Sequence, residues 1–453
     1  MYLLYSLLLT IGFILLLPRF AFDALRTRKY ITGLGQRLGN LPNFKSPDSP
    51  LIWLHCVSVG ETEAARPFVR ALKEKFPHHR LVVSTTTVTG QSVARRAFAK
   101  DAAAVFYFPI DWSWVVRRVM RNLEPSAFLI METELWPNLM RECGRRSIPV
   151  AIVNGRISQR SFGRYKLIRS FVRRMLKDVS IAVMQSDEDA SRIRDLGLPA
   201  ERVIMAGNVK FDSASISSND AKLASEIRER FAFHAGDHLI VMASTHGPEE
   251  SIAIEAFKLI RSSSNERVRM LIATRHPERF NEVAGLIESS GFTWARRSAA
   301  PAKTDHNCDI VLLDSIGELR ATFSLAEVAF VGGSIAPHGG HNALEPAAQG
   351  VCVVTGAHTE NFAAITKALL SANAIVQLPN VSEPEAPAVL ASAMTELLTN
   401  DSRRKEIGQR AKAVCNRNTG ATERVVDAIA ELLHAPSSSE SVSFSTLHVS
   451  AAK

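Results

Sequence analysis

From residue 51 onward, short runs of apolar residues alternate with longer stretches whose apolar positions recur every three or four places. In the first half this pattern predicts strands at 51–57, 81–86, 104–108, 127–131, 149–153, 181–184 and 203–206. The second half repeats the habit at 238–243, 270–273, 310–313, 328–331, 352–354 and 374–378. These runs are continuous in Val, Ile and Leu, as expected of strands buried on both faces, and the gaps are long enough for helical crossovers. The fold class that follows is α/β, with two doubly wound, Rossmann-like domains. The polar stretch DSASISSND at 212–220 marks the start of a linker. The expected divisions are a first domain at 23–211, a linker at 212–237 and a second domain at 238–435. Residues 436–453 are Ser-rich and read as a disordered tail.

Residues 1–17 break the alternation: MYLLYSLLLTIGFILLL carries no charge, and Arg19, Arg26, Arg28 and Lys29 follow it. About 20 apolar residues cross a hydrocarbon layer, so this run is at the short end of spanning length. A cleaved signal peptide would have a positive residue before the run and a small-x-small site after it, and neither is present. The expectation is a retained membrane anchor at 1–22, with positive flanking charge keeping the body on the cytoplasmic side. A helix lying in the membrane interface is the other form open to it.

The 453 residues fit two or three domains, and 46% hydrophobic residues can fill their cores. A mean hydropathy of +0.03 excludes a many-pass membrane protein. A formal net charge of +9 favours anionic partners without choosing among phosphates, acidic lipids and nucleic acid. The five cysteines form no C-x-x-C pair, which argues against a disulfide framework and a cysteine-based zinc site.

In open α/β sheets ligands bind beyond the carboxyl ends of the strands, and three polar clusters fall there. The first is Ser58-Val59-Gly60-Glu61. An isolated Glu at that place reads first as a helix cap, because an acid stabilises the positive end of the helix dipole. The second is Glu132-Thr133-Glu134-Leu135-Trp136-Pro137-Asn138, where Pro137 suits a first helical turn. Several carboxylates in one crevice can supply a general base and a group that orients it; solvated capping acids are the equal alternative on spacing alone. The third cluster runs from Gly332-Gly333 through His338, Gly339-Gly340 and His341 to Asn342-Ala343-Leu344-Glu345. Its glycines would let backbone N–H groups approach a phosphate at a helix N-terminus, and Glu345 would accept ribose hydroxyls. It matches no Walker phosphate loop, and His338 and His341 lack metal-ligand spacing, so no metal is expected.

The loops at 243–246, at Arg275-His276 and at Ile316-Gly317-Glu318 lie on the same edge of the second predicted sheet, which favours nucleotide binding. Arg275 offers a planar fork of donors to an anion. Between Arg156 and Lys177, Arg and Lys are interleaved with apolar residues and no acid occurs. A solvated helix face is the default reading of that run. Anionic lipid is the alternative, and no helix-turn-helix, zinc-finger or RNP pattern supports nucleic acid.

Taken together, the apolar N-terminus, Ser58-Val59-Gly60-Glu61, Glu132 to Asn138, Arg275-His276-Pro277-Glu278-Arg279 and Gly339 to Pro346 resemble the 3-deoxy-D-manno-octulosonic acid (Kdo) transferases of lipopolysaccharide assembly. The resemblance runs from the anchor to about residue 430. It implies a GT-B architecture, two Rossmann-like domains facing a cleft, with the acceptor bound by the first and the CMP-sugar by the second. It further implies CMP-Kdo as donor, the lipid A precursor as acceptor, inner-membrane anionic lipids as surroundings and no cofactor. Glu61 matches the family's proton acceptor, with Glu132, Glu134 and Arg156 orienting the acceptor. Arg275, His276, Ile316, Gly317, Glu318 and Asn342, Ala343, Leu344, Glu345 match its CMP-contacting segments. Two other readings remain at this point: a GT-B transferase using a UDP-sugar on another lipid, and a tethered nucleotide-binding module without activity. A dehydrogenase is disfavoured because no G-x-G-x-x-G follows the first strand.

Overall fold

Each apolar run becomes a parallel strand. In the first half these are β1 (Leu51–Cys56), β2 (Arg80–Thr85), β3 (Ala104–Tyr107), β4 (Ala127–Met131), β5 (Val150–Gly155), β6 (Ile181–Met184) and β7 (Val203–Met205). They form one sheet in the order β3-β2-β1-β4-β5-β6-β7. The second half supplies β8 (His238–Thr245), β9 (Val268–Thr274), β10 (Trp294–Arg296), β11 (Ile310–Leu312), β12 (Val328–Val331), β13 (Cys352–Thr355) and β14 (Val376–Gln377), ordered β10-β11-β9-β8-β12-β13-β14. The computed structural model describes residues 1–27, 32–46, 49–214, 218–233, 236–263 and 266–434; the expected tail at 436–453 and part of the expected linker lie outside these. The additional strand, β10, is three half-buried residues at a sheet edge and pairs only with β11. Its short mixed run WAR carries no apolar block for a sequence pattern to catch.

The chain forms two compact units, one of residues 1–213 with the stretch from Thr419 onward, the other of residues 214–418. Both boundaries differ from the expectation. Most of the expected linker is the helix Ser218–Phe231, whose Ile227 and Phe231 stand at helical spacing and are buried in the second unit's core. At the other end the helix Ala421–His434 belongs to the first unit, not the second. Its Val425, Val426 and Ile429 pack into the same core as Phe68, Leu72 and Phe76. Such side chains contribute about 1.5–3 kcal/mol each when fully buried. Asp212 fixes the start of that helix by accepting the backbone N–H groups of Gly420 (2.7 Å) and Thr422 (2.6 Å).

The N-terminal residues form the helix Tyr2–Thr27. Among the described residues no helix is long and apolar enough to cross a membrane. The helix lies along the first unit and is docked by one side. Tyr2 is buried edge-on against Phe171, the Asn138 amide donates to Ser6 Oγ at 3.0 Å, and Phe13 meets Trp112. The opposite side leaves Leu3, Leu4, Leu7, Leu8, Ile11, Ile14 and Leu15 exposed.

Candidate active site

Strand order reverses between β1 and β4 in one sheet and between β8 and β12 in the other. A crevice opens at such a switch point because the loops leaving its two strands turn to opposite faces. The sequence-predicted clusters follow β1 and β4 in the first unit and β8 and β12 in the second.

Glu61 opens the helix Val59–Lys75 behind β1, where Ser58 is the N-cap. The carboxylate accepts the Val57 N–H at 2.7 Å and the Ser58 hydroxyl at 3.1 Å, while Ser58 Oγ accepts the Glu61 N–H at 3.4 Å. The Ser58 hydroxyl thus caps the helix, while the Glu61 carboxylate reaches past the N-cap to the Val57 N–H. The group is not an ordinary cap, however, because it is buried among other acids. Desolvation first, then the charge of Glu132, pushes its carboxyl up to about 8 against the downward pull of the Val57 and Ser58 bonds. A buried carboxylic acid that titrates near neutrality is suited to exchange a proton with a substrate.

Glu132 leaves β4 with φ of 59°, in the left-handed region that is uncommon for any residue but glycine. Its N–H donates to the Val153 carbonyl at 2.9 Å, which ties that turn to β5. Its side chain meets Lys210 Nζ at 3.1 Å. Glu134 is raised by burial and then by Glu132. Glu61, Glu132 and Glu134 therefore share one electrostatic environment, as their order along the chain predicts. Arg156 lies just past β5, and its backbone N–H donates to Thr133 Oγ1 at 3.1 Å. Two residues of this site were missed by sequence reasoning. Lys210 supplies the cation facing Glu132; its only signal was a lone Lys in the turn after the last strand-like run. Asn154, fully buried with φ of 54°, accepts the Val209 N–H at 3.1 Å through Oδ1 and leaves Nδ2 without a partner.

In the second unit the cradle formed by the N–H groups of Gly333, Ser334 and Ile335, at the start of the glycine-rich loop, is closed to a phosphate. Glu249, buried at the start of the helix Glu249–Ser263, already fills that cradle. It accepts the N–H groups of Gly333 (2.7 Å), Ser334 (2.9 Å), Ile335 (2.9 Å) and His246 (3.0 Å). A Cβ on residue 332 would stand 2.7 Å from the Glu249 carboxylate, so Gly332 is required for the chain's own anion rather than for a ligand's. Glu249 was missed as well, since an acid opening a helix looks like any other cap. The helix behind the loop is also only Leu344–Ala348.

The nucleotide candidates are distributed as follows. Arg275 and His276 are exposed after β9, and the Arg275 N–H donates to the Thr245 carbonyl at 3.0 Å. Ile316 is 82% exposed beside Gly317, whose φ of 91° makes the turn. Glu318 is engaged by Arg297 at 2.8 and 2.9 Å and by Ser315; burial opposes its charge, but these bonds win and hold its carboxyl below the usual range. Asn342 donates to Glu345 at 3.2 Å and accepts the Leu344 N–H at 3.1 Å. Burial, its largest influence, raises the Glu345 carboxyl. Ala343 and Leu344 turn their side chains into the core, leaving only backbone for a ligand. Among the described residues no group of three or more His, Cys, Asp or Glu side chains is placed to hold a metal ion. All five cysteines are buried and free.

Residues 32–213 match the family model of 3-deoxy-D-manno-octulosonic-acid transferase. The chain is 33% identical to the 3-deoxy-D-manno-octulosonic acid transferase of Haemophilus influenzae over 404 residues, 89% of this chain and 92% of that protein. Among solved structures it is similar to UDP-GlcNAc 2-epimerase from Neisseria meningitidis, with TM-score 0.55, 12% identity, and 84% of this chain and 100% of that one covered. A glycosyltransferase from Rickettsia africae gives TM-score 0.52 at 12% identity, covering 85% and 98%. These two likenesses concern the fold, a pair of parallel-sheet α/β units of the GT-B kind.

Proposed function

Because the chain belongs to the 3-deoxy-D-manno-octulosonic acid transferase family, and so is a glycosyltransferase, we propose that it moves Kdo from CMP-Kdo to a hydroxyl of the lipid A precursor with Glu61 as general base. The observation that carries this reading is the Glu61 carboxyl, buried at the switch point of the first sheet and held near neutral titration by burial and Glu132. A sugar hydroxyl is a weak nucleophile until its proton leaves as the new C–O bond forms. Glu61 accepts that proton while the anomeric carbon exchanges the CMP phosphate oxygen for the acceptor oxygen. One displacement from the face opposite the leaving group inverts the anomeric centre. General-base catalysis supplies about 10²–10⁴-fold, and positioning together with charge stabilisation supplies the rest. Glu134, Arg156 and the Lys210–Glu132 pair orient the acceptor in the first unit. Arg275, His276, the 316–318 turn and the backbone of 342–345 contact CMP in the second.

The acceptor is a lipid, and the N-terminal helix supports a place at the cytoplasmic surface of the inner membrane. With one side fastened to the first unit, its exposed leucines and isoleucines suit insertion into the interface rather than a span. Leu167 and Ile168 are exposed within the basic run, beside Arg160, Arg164, Lys166 and Arg169, which suits anionic headgroups.

Mass spectrometry of products formed from CMP-Kdo and lipid A precursor tests the reading, with UDP-sugars as competing donors. Kdo addition by the wild type and its loss in Glu61→Gln are the expected results. Transfer from a UDP-sugar instead, or undiminished turnover by Glu61→Gln, would overturn it.

A further inference from the structure

Four imidazoles from three loops converge beyond the carboxyl ends of β8, β9 and β12. The rings of His246 and His341 stack 5.0 Å apart and 6° from parallel, with their Nε2 atoms 2.8 Å from each other. His338 stacks on His246 from 4.3 Å, and His276 meets it edge-on at 5.0 Å. Two ring nitrogens at that separation are compatible only if one carries a hydrogen and the other accepts it. Gly333, with φ of 66°, makes room for this arrangement, since a Cβ there would stand 2.9 Å from the His341 ring.

The charges facing the cluster are Arg275, Glu249, Glu250, Arg279 and the exposed Glu278, whose carboxylate lies 3.4 Å from His276 Nδ1. Glu249 is committed to four backbone N–H groups. Glu250 is paired through Oε1 with Arg279 at 2.8 Å, and its Oε2 has no hydrogen bond. Arg275 and His276 are exposed. The two buried carboxylates, Glu249 and Glu250, are thus engaged by the protein itself, and the charge of Arg275 acts on both His246 and His341. Burial first, then the neighbouring imidazoles for His246 and Arg275 for His341, holds the two central rings unprotonated, His246 down to about 4 and His341 down to about 3. An arriving anion opposes both influences with its own charge, because an imidazolium beside it is stabilised. With the N–H groups of Gly333, Ser334 and Ile335 already taken by Glu249, the cluster supplies side-chain donors at this edge for an oxyanion.

Building on the donor reading above, we propose that His246 and His341, flanked by His338 and Arg275, bind an oxyanion of the donor, phosphate or carboxylate, and take up one proton from solvent as it binds. One hydrogen already lies between the two Nε2 atoms, so the added proton goes to the vacant Nδ1 of the ring that carries it, and ring N–H groups of the cluster donate to the anion. No bond of the donor breaks in this step; the protein gains one proton and the solution loses one.

The test is calorimetric titration of the full chain at pH 7 in two buffers of different ionisation enthalpy, which counts protons taken up on binding. The phosphate probe is the methyl phosphodiester of CMP, whose phosphate does not titrate near neutrality. Free Kdo is the carboxylate probe, and cytidine has neither anion. The expected result is uptake of a sizeable fraction of one proton with one of the anionic probes and none with cytidine. His246→Gln and His341→Gln should each abolish the uptake and weaken that probe about tenfold or more, with an unchanged melting temperature showing the fold intact. Uptake with the phosphodiester identifies the phosphate as occupant, and uptake with free Kdo alone identifies the carboxylate. Binding of the phosphodiester with no proton uptake from either anionic probe, or equal binding by the folded variants, overturns the proposal and leaves the donor reading standing. No binding of phosphodiester or cytidine by the wild type would overturn the donor reading as well.

Discussion

Lys210 Nζ stands 3.1 Å from Glu132 Oε1, and Glu132 is the strongest charged neighbour acting on Glu61. A cation at the third residue therefore moderates how strongly the second repels a charge on the first. Replacing Lys210 by Met leaves the Glu132 charge without this counterion, so the ionised form of Glu61 becomes less favourable. The alkaline-going limb of the rate profile should move to higher pH, by up to about one unit. Initial rates of wild type and Lys210→Met between pH 6 and 10 give the shift, and a limb that stays in place would separate Lys210 from the base.

The wild-type profile has a definite sign of its own. A general base works in its deprotonated form, and Glu61 gives up its proton at about 8. Turnover measured at saturating donor and acceptor should climb about tenfold per pH unit below that value and level off above it. A flat profile from pH 6 to 9 under chemistry-limited conditions would be incompatible with Glu61 as the base.

The same shift has a consequence for stability. The unfolded chain releases the Glu61 proton near the ordinary carboxyl value of 4.5, whereas the folded chain keeps it to about 8. Between these values the folded state binds more protons, so its stability falls as pH rises through the window. Glu61→Gln removes that cost. Its unfolding free energy should match the wild type near pH 4.5 and exceed it increasingly toward pH 8, by up to about 4 kcal/mol, with the melting temperature following. Thermal melts of the two proteins across this range provide the comparison.

Glu249 offers a test of the glycine loop. Glu249→Ala strands the N–H groups of Gly333, Ser334 and Ile335 and opens a hole beneath Gly332. A loss of about 3–5 kcal/mol is expected, with Glu249→Gln recovering part of it because one amide oxygen can still accept. Chemical denaturation of both variants supplies the values.

The exposed side of the N-terminal helix gives a last prediction. Leu4, Leu7, Leu8 and Ile11 touch solvent, so changing them to Ser should leave the melting temperature nearly unaltered. Binding to vesicles containing anionic lipid should weaken about tenfold or more per residue, because each insertion is worth about 1.5–3 kcal/mol. Vesicle sedimentation reads this directly, and full retention of binding would remove the helix from the membrane contact.

Much of the fold was legible in the chain because a strand covered on both faces must be apolar along its whole length. That constraint marked thirteen of the strands to within a few residues, and it failed for Trp294–Arg296, an edge strand with little to bury. The order of loops after strands also brought Glu61, Glu132 and Glu134 together in thought before any geometry was known. Local pattern could not assign the helices Ser218–Phe231 and Ala421–His434 to their units, since an amphipathic helix states that it has a buried face but not which core receives it.

By itself, then, the sequence determined two parallel sheets, the acids at the end of the first strand pair and the glycine-histidine loop of the second unit, all consequences of spacing along one chain. Tertiary structure alone decided that Lys210 faces Glu132, that Glu249 fills the glycine cradle and that His246 meets His341. Each of those pairs joins residues about eighty or more positions apart, and their energies come from desolvation and close approach, which exist only once the sheets have brought the loops to one edge.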